Sequence, residues 1–189
     1  MKTPLYYQMT EYDCGPISLL NGINYLFDRE SIPPEILKVI MGICLDSYGE
    51  KGEYAKKGTS QDAMRYLCFW LNQLSKAKQF PLLCEYLRGD EVVIDCESRI
   101  IKALKNNNAV ILRVECDGEH YVLLTGTQNN TVSIFDPYLS DTQIFGSGIE
   151  RVFHSSYCNM HVSFEVLNGK SVYSMCDVEN RDAIIFNST

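Results

Sequence analysis

Basic charge is in short supply in this sequence: 17 Lys and Arg stand against 24 Asp and Glu, a formal net charge of -7. A nucleic-acid groove needs a concentrated excess of cationic side chains, so no nucleic-acid partner is expected. Long apolar runs are also missing. No stretch reaches the roughly eighteen residues that a membrane-spanning helix requires. Met1-Lys2-Thr3-Pro4-Leu5 leads into a polar, Tyr-rich segment with no apolar signal core, so the chain is expected to be cytoplasmic. Histidine is scarce, with 3 in the chain, which leaves few candidates for an imidazole base or ligand. Cys158 and His161 have metal-ligand spacing, but a structural zinc site takes four ligands and no second pair stands nearby. Neither a metal nor a cofactor is expected.

What is present is an ordinary globular composition. The 189 residues, 46% hydrophobic and 22% charged, suffice for one domain with a full core, expected to span 1–189. Cysteine is plentiful at 8 residues, and an even number is compatible with a disulfide framework. Their scattered positions, the length of the chain and the lack of an export signal favour buried, reduced thiols instead.

The first half reads as helical. After Cys14-Gly15-Pro16, apolar residues at 17, 19, 20, 23, 26 and 27 form a stripe wider than one amphipathic face. This predicts a buried helix, with Pro16 at its first position, where a missing N–H costs nothing. Pro33-Pro34 opens a second helix to about Ile43. A charged, Gly-containing loop spans 46–58, and Thr59-Ser60 caps a third helix carrying Met64, Leu67, Cys68 and Leu71. The second half reads mainly as strand: Leu82–Leu87, Ala109–Glu115, His120–Thr127, Thr131–Phe135 and His161–Leu167, with a short helix at Glu97–Lys105. Asp117-Gly118, Asn129-Asn130 and Asn168-Gly169 are the turn signals between them. Lys170 and Ser171 after Gly169 mimic the end of a phosphate-binding loop, but Phe164 stands where that loop needs its first glycine. Helices first and an antiparallel sheet second is an α+β arrangement.

Cys14 is the candidate nucleophile. The start of a helix favours negative charge, so a thiol placed there gains thiolate character. Taken alone, the residue reads more readily as a buried, inert cysteine. Its company argues otherwise. Gln8, six positions earlier, carries an amide that can donate to a developing oxyanion. His120 begins one predicted strand and Asp136 ends the next, the plan of a base held by an orienting carboxylate. His154 and His161 read as surface or strand residues. Tyr6, Tyr7 and Tyr12 read as packing or as groove lining.

These residues carry a resemblance. Gln8 six positions before Cys14, the run Asp13-Cys14-Gly15, the strand His120-Tyr121-Val122 and the pair Asp136-Pro137 sixteen residues after His120 are similar to the pattern of the bacteriocin-processing cysteine peptidases. Those are papain-like domains that remove double-glycine leader peptides at the front of some export ATPases. Gly58-Thr59-Ser60 before a helix and Ala109-Val110-Ile111 before the His120 strand resemble the same family. The similarity covers about residues 5–140. The 46–58 loop and residues 141–189 are elaborations, the latter expected to complete or flank the sheet.

The resemblance implies a papain-like fold, with the nucleophile at the start of a buried helix and a C-terminal antiparallel sheet. It implies a stand-alone, cofactor-free cysteine hydrolase acting on a peptide or amide bond, with Cys14 as nucleophile, His120 as base and Asp136 as orienter. Gln8 and the Cys14 N–H would form the oxyanion hole. An acyltransferase that resolves the thioester with an amine, a non-catalytic peptide-binding module and a disulfide-stapled structural protein stay open as alternatives.

A triad also requires His120 and Asp136 on one face of the sheet. A two-residue turn at Asn129-Asn130 pairs Gln128 with Thr131, sets Leu123 opposite Asp136 and sends His120 to the other face. A three-residue loop pairs Thr127 with Thr131, packs Leu124 on Ile134 and makes His120 the diagonal neighbour of Asp136. The three-residue loop is therefore expected.

Overall fold

The apolar stripe after Cys14 folds into a buried helix, α1 (Cys14–Leu26), in which Leu19 and Ile23 are almost wholly enclosed. The fold was obtained as a computed structural model, which describes residues 1–139 and 146–188. α1 begins earlier than its proline suggested: Cys14 is its first residue and Pro16 its third. Proline is tolerated there because the first-turn N–H groups of a helix have no intrahelical acceptor. α2 (Pro34–Ile43) starts at its expected proline. α3 (Gln61–Lys78) is capped by Ser60, whose Oγ accepts from Ala63 N–H at 3.1 Å.

The second half builds a sheet. Its strands are β1 (Leu82–Arg88), β2 (Ala109–Glu115), β3 (Glu119–Gln128), β4 (Thr131–Phe135), β5 (Ile149–Arg151), β6 (Met160–Ser163) and β7 (Asp182–Ser188). Two short helices interrupt them, α4 (Arg99–Lys105) before β2 and α5 (Phe164–Leu167) after β6. Among the described residues the seven strands form one sheet in the order β1-β7-β2-β3-β4-β6-β5, with every neighbouring pair antiparallel. The architecture is α+β.

Two elements differ from the sequence reading. The expected strand over 161–167 ends at Ser163, because the Ser163 side chain accepts from Val166 N–H and starts a helical turn there. β7 went unread because Ala183, Ile184, Ile185 and Phe186 are all buried. A strand enclosed on both faces shows no alternation of apolar and polar residues.

The sheet separates two apolar cores. On one face α1, α2 and α3 bury Leu19, Ile23, Ile40 and Met64 against Leu123 and Phe186. On the other, Ile100 and Leu104 of α4 join Val122, Leu124, Ile134 and Tyr173. At the outer edge of the sheet, Asn72 of α3 accepts from Cys84 N–H at 2.7 Å and donates to Cys84 C=O at 2.8 Å. One side-chain amide thus satisfies a backbone position that would otherwise invite another strand.

The β3–β4 hairpin corrects the expected loop. The turn holds two residues, Asn129 and Asn130, with φ of 51° and 59°, and Gln128 pairs with Thr131. That register would send His120 away from Asp136. A β-bulge restores it: the pairing shifts between Leu124 and Gly126, so Thr125 is the extra residue and Leu124 faces Ile134. Tyr25 of α1 donates to Thr125 C=O at 2.8 Å, which ties the bulge to the helix that carries Cys14. The expected packing of Leu124 on Ile134 is reached by a different device.

Candidate active site

Cys14 sits at the first position of α1 and is buried, at 6% exposure. The chain before it is organised by Asp13, itself buried. One Asp13 oxygen accepts from Met9 N–H at 2.9 Å, and the other accepts from Thr10 N–H at 2.8 Å and Thr10 Oγ1–H at 2.6 Å. Gly15 allows the close approach of Thr59, since a Cβ on Gly15 would lie 2.6 Å from Thr59 Oγ1. The segment Gly58-Thr59-Ser60 therefore meets the helical turn that carries Cys14.

Gln8 lies in a strip held from two sides. Its N–H donates to Pro137 C=O at 2.9 Å, which joins the strip to the end of β4. Two residues earlier, Asn21 of α1 accepts from Tyr6 N–H at 2.8 Å and donates to Tyr6 C=O at 2.9 Å. The Gln8 side chain donates from Nε2 to Thr10 C=O at 2.6 Å, while Oε1 is buried without a partner. An amide nitrogen carries two hydrogens, so this bond fixes the group and leaves one N–H to give.

His120 and Asp136 meet. Nε2 of His120 lies 2.7 Å from Oδ1 of Asp136, and both side chains are buried. With Nε2 taken, Nδ1 is the ring nitrogen left to face Cys14. Burial disfavours the charged imidazole, but hydrogen bonds to Asp136 and to Cys14, with their charges, outweigh it and raise His120 to about 10. The imidazole therefore holds its proton across the neutral range, between a carboxylate and the Cys14 sulfur. Burial pushes Asp136 the other way, yet the His120 bond and charge, with Tyr173 and the Tyr138 N–H, keep its carboxyl below the usual carboxylate range.

The supports of Asp136 come from residues the sequence reading did not single out. Tyr138 N–H donates to Oδ1 at 2.7 Å, and the Tyr173 hydroxyl donates to Oδ2. Asn159 accepts from Asp136 N–H at 2.8 Å and donates to Asp136 C=O at 2.7 Å. No short motif joins Asn159 or Tyr173 to Asp136 along the chain, so only the fold reveals them. Of the remaining candidates, His161 lies on β6 beside Ser133 at 3.2 Å, and Tyr7 packs on Phe135 with ring centroids 5.2 Å apart. Six of the eight cysteines are buried; Cys116 is half-buried and Cys96 exposed. Among the described residues, no helix is long and apolar enough to cross a membrane.

An apolar cavity of about 480 Å³ lies between α1 and α2, lined by Tyr6, Met9, Ile17, Leu20, Leu37 and Met41 among others. Met9 follows Gln8, and Ile17 is one helical turn from Cys14. The arrangement can hold a thiolate against an imidazolium, orient that imidazolium through a carboxylate, and present N–H donors to an acyl oxygen.

No protein-family model matches the chain, and no curated protein does. Among solved structures, the chain is similar to the peptidase domain of ComA from Streptococcus, a bi-functional ABC transporter involved in a quorum-sensing pathway, with 15% identity, a TM-score of 0.48 and 98% of each chain covered. The peptidase domain of Streptococcus mutans ComA aligns at 15% identity and a TM-score of 0.42, over 98% of this chain and 99% of that one. A double-glycine motif protease from an AMS/PCAT transporter, solved in complex with its leader peptide, aligns at 16% identity and a TM-score of 0.43, over 98% and 91%.

Proposed function

We propose that the chain is a cysteine hydrolase that cleaves a peptide or amide bond through a thioester on Cys14. The observation that carries this reading is the position of His120, hydrogen-bonded to Asp136 at 2.7 Å and near enough to Cys14 for the sulfur to help hold the imidazole's proton. The Cys14 thiolate attacks the substrate carbonyl carbon and forms the C–S bond. The carbonyl oxygen takes the negative charge and is met by Gln8 Nε2–H and the Cys14 N–H, which has no acceptor within its helix. As the C–N bond breaks, the His120 imidazolium passes its proton to the leaving amine. His120 then takes a proton from water, which attacks the thioester and releases the acid and the thiolate. Asp136 holds the imidazole in register throughout. The apolar cavity next to Met9 and Ile17 is suited to an apolar segment of a peptide substrate. Because leaving-group protonation needs the proton on His120, hydrolysis is expected to fall as pH rises through about 10.

Limited alkylation with iodoacetamide near pH 6, followed by peptide mapping, tests the assignment. Cys14 should label first among the eight thiols, and His120→Ala should slow that labelling. Preferential labelling of any other cysteine would remove Cys14 as nucleophile. Incubation with a peptide pool should give acid and amine products that Cys14→Ala does not form; amide products formed only with added amines would move the reading to acyl transfer.

A further inference from the structure

Tyr173 occupies a conformation that its chemistry does not explain. Its φ of 68° lies in the left-handed region, where a bulky residue is an outlier. Its ring is wholly buried, its N–H donates to Glu115 C=O at 2.7 Å, and its hydroxyl donates to Asp136 Oδ2. Backbone strain of this kind persists only where the surroundings impose it, and it gathers at working sites. The group at the end of the strained residue is the carboxylate that faces His120. Asn159 adds a second constraint by holding both backbone polar groups of Asp136. Tyr173 and Asn159 both follow the stretch that carries the family resemblance, which ends at about residue 140.

We infer that Tyr173 is a positioning residue of the proposed hydrolase, and that its hydroxyl turns Asp136 so that Oδ1 meets His120. The inference rests on the thiol-hydrolase reading. The two oxygens of Asp136 have different tasks: Oδ1 faces the imidazole, and Oδ2 is occupied by a phenol. With Oδ2 tied, rotation about the Cβ–Cγ bond is blocked, so the carboxylate presents one fixed lone pair to Nε2. The same bond favours the charged carboxylate, which is the form that stabilises the His120 imidazolium. The C-terminal segment thus completes the site as well as the sheet.

Tyr173→Phe removes the hydroxyl and keeps the ring, so the core stays filled. The experiment is the pH titration of the Asp136 carboxyl carbon by 13C NMR between pH 2 and 7 in wild type and Tyr173→Phe, with the rate of Cys14 alkylation by iodoacetamide in both and in His120→Ala, and thermal unfolding of each. The titration reads protonation of Asp136 directly. A hydrogen bond to a charged group is equivalent to roughly one to two pKa units. The midpoint in Tyr173→Phe should therefore move up by about one pH unit. An unchanged midpoint, whatever the change in melting temperature, would show a merely structural tyrosine and overturn the inference. Alkylation that His120→Ala leaves unaltered in wild type would overturn the thiol reading, and the inference with it.

Discussion

At the scale of single residues, two buried aspartates have opposite fates. The carboxylate of Asp136 receives a cation and two further donors and stays ionised, whereas Asp182, wholly enclosed, is met mainly by phenols. Tyr121 Oη lies 3.1 Å from both of its oxygens and Tyr86 Oη 3.4 Å from one. Burial raises the Asp182 carboxyl to about 6, against the opposing pull of Arg113 and of those hydroxyls. In the unfolded chain it titrates near 3.9. Between about pH 4 and 6 the folded state keeps a proton that the unfolded state has lost, so this group's contribution to stability falls as pH rises through that window. Above it, the ionised carboxylate costs about 3 kcal/mol. Asp182→Asn should therefore remove part of the fall in urea-measured stability between pH 4 and 8; equal slopes in the two proteins would contradict this. Gln8 permits a cleaner separation of chemistry from folding. Acylation of Cys14 by p-nitrophenyl acetate develops an oxyanion, but alkylation by iodoacetamide does not. Gln8→Ala should slow the first by about 10²–10³-fold and leave the second unchanged; equal effects on both would assign Gln8 a structural role.

At the scale of elements, the β3–β4 hairpin is where the sequence was read correctly in outcome and wrongly in cause. The need for His120 and Asp136 to share a face was evident from alternation alone, as was the packing of Leu124 on Ile134. The bulge was hidden, because an extra residue such as Thr125 carries no composition signal and is held by Tyr25, a hundred positions away. The helices were legible because caps and prolines mark them locally, as at Ser60 and Pro34. β7 was not, since burial on both faces erases its period. Asn159 and Tyr173 were illegible for a related reason: their roles exist only through contacts that the fold brings about. Deleting Thr125 should remove the bulge and keep Leu124 opposite Ile134, so that His120 stays on the face of Asp136. In that variant, Cys14 alkylation should keep its dependence on His120, with circular dichroism checking that the sheet persists; lost dependence would mean that Thr125 does more than set the face.

At the scale of the whole molecule, the order β1-β7-β2 places residues 182–188 between strands that are complete by residues 88 and 115. Among the described residues β1 has no other partner in the sheet, and Phe186 closes against Gly22 of α1, where an added Cβ would lie 2.9 Å from its ring. Of the seven described strands, the one made after the others is thus an interior one. During translation, which adds roughly 5–20 residues per second, the helical half and β2–β4 leave the ribosome with a vacant slot along the flank of β2. An emerging polypeptide in that state exposes Val110, Ile111 and Leu112 along an unpaired edge. Two partners of Asp136, Asn159 and Tyr173, also arrive late. The groups proposed to tune Cys14 therefore come together only after residues 159 and 173 have been synthesised, so the thiol leaves the ribosome ahead of the neighbours that would activate it.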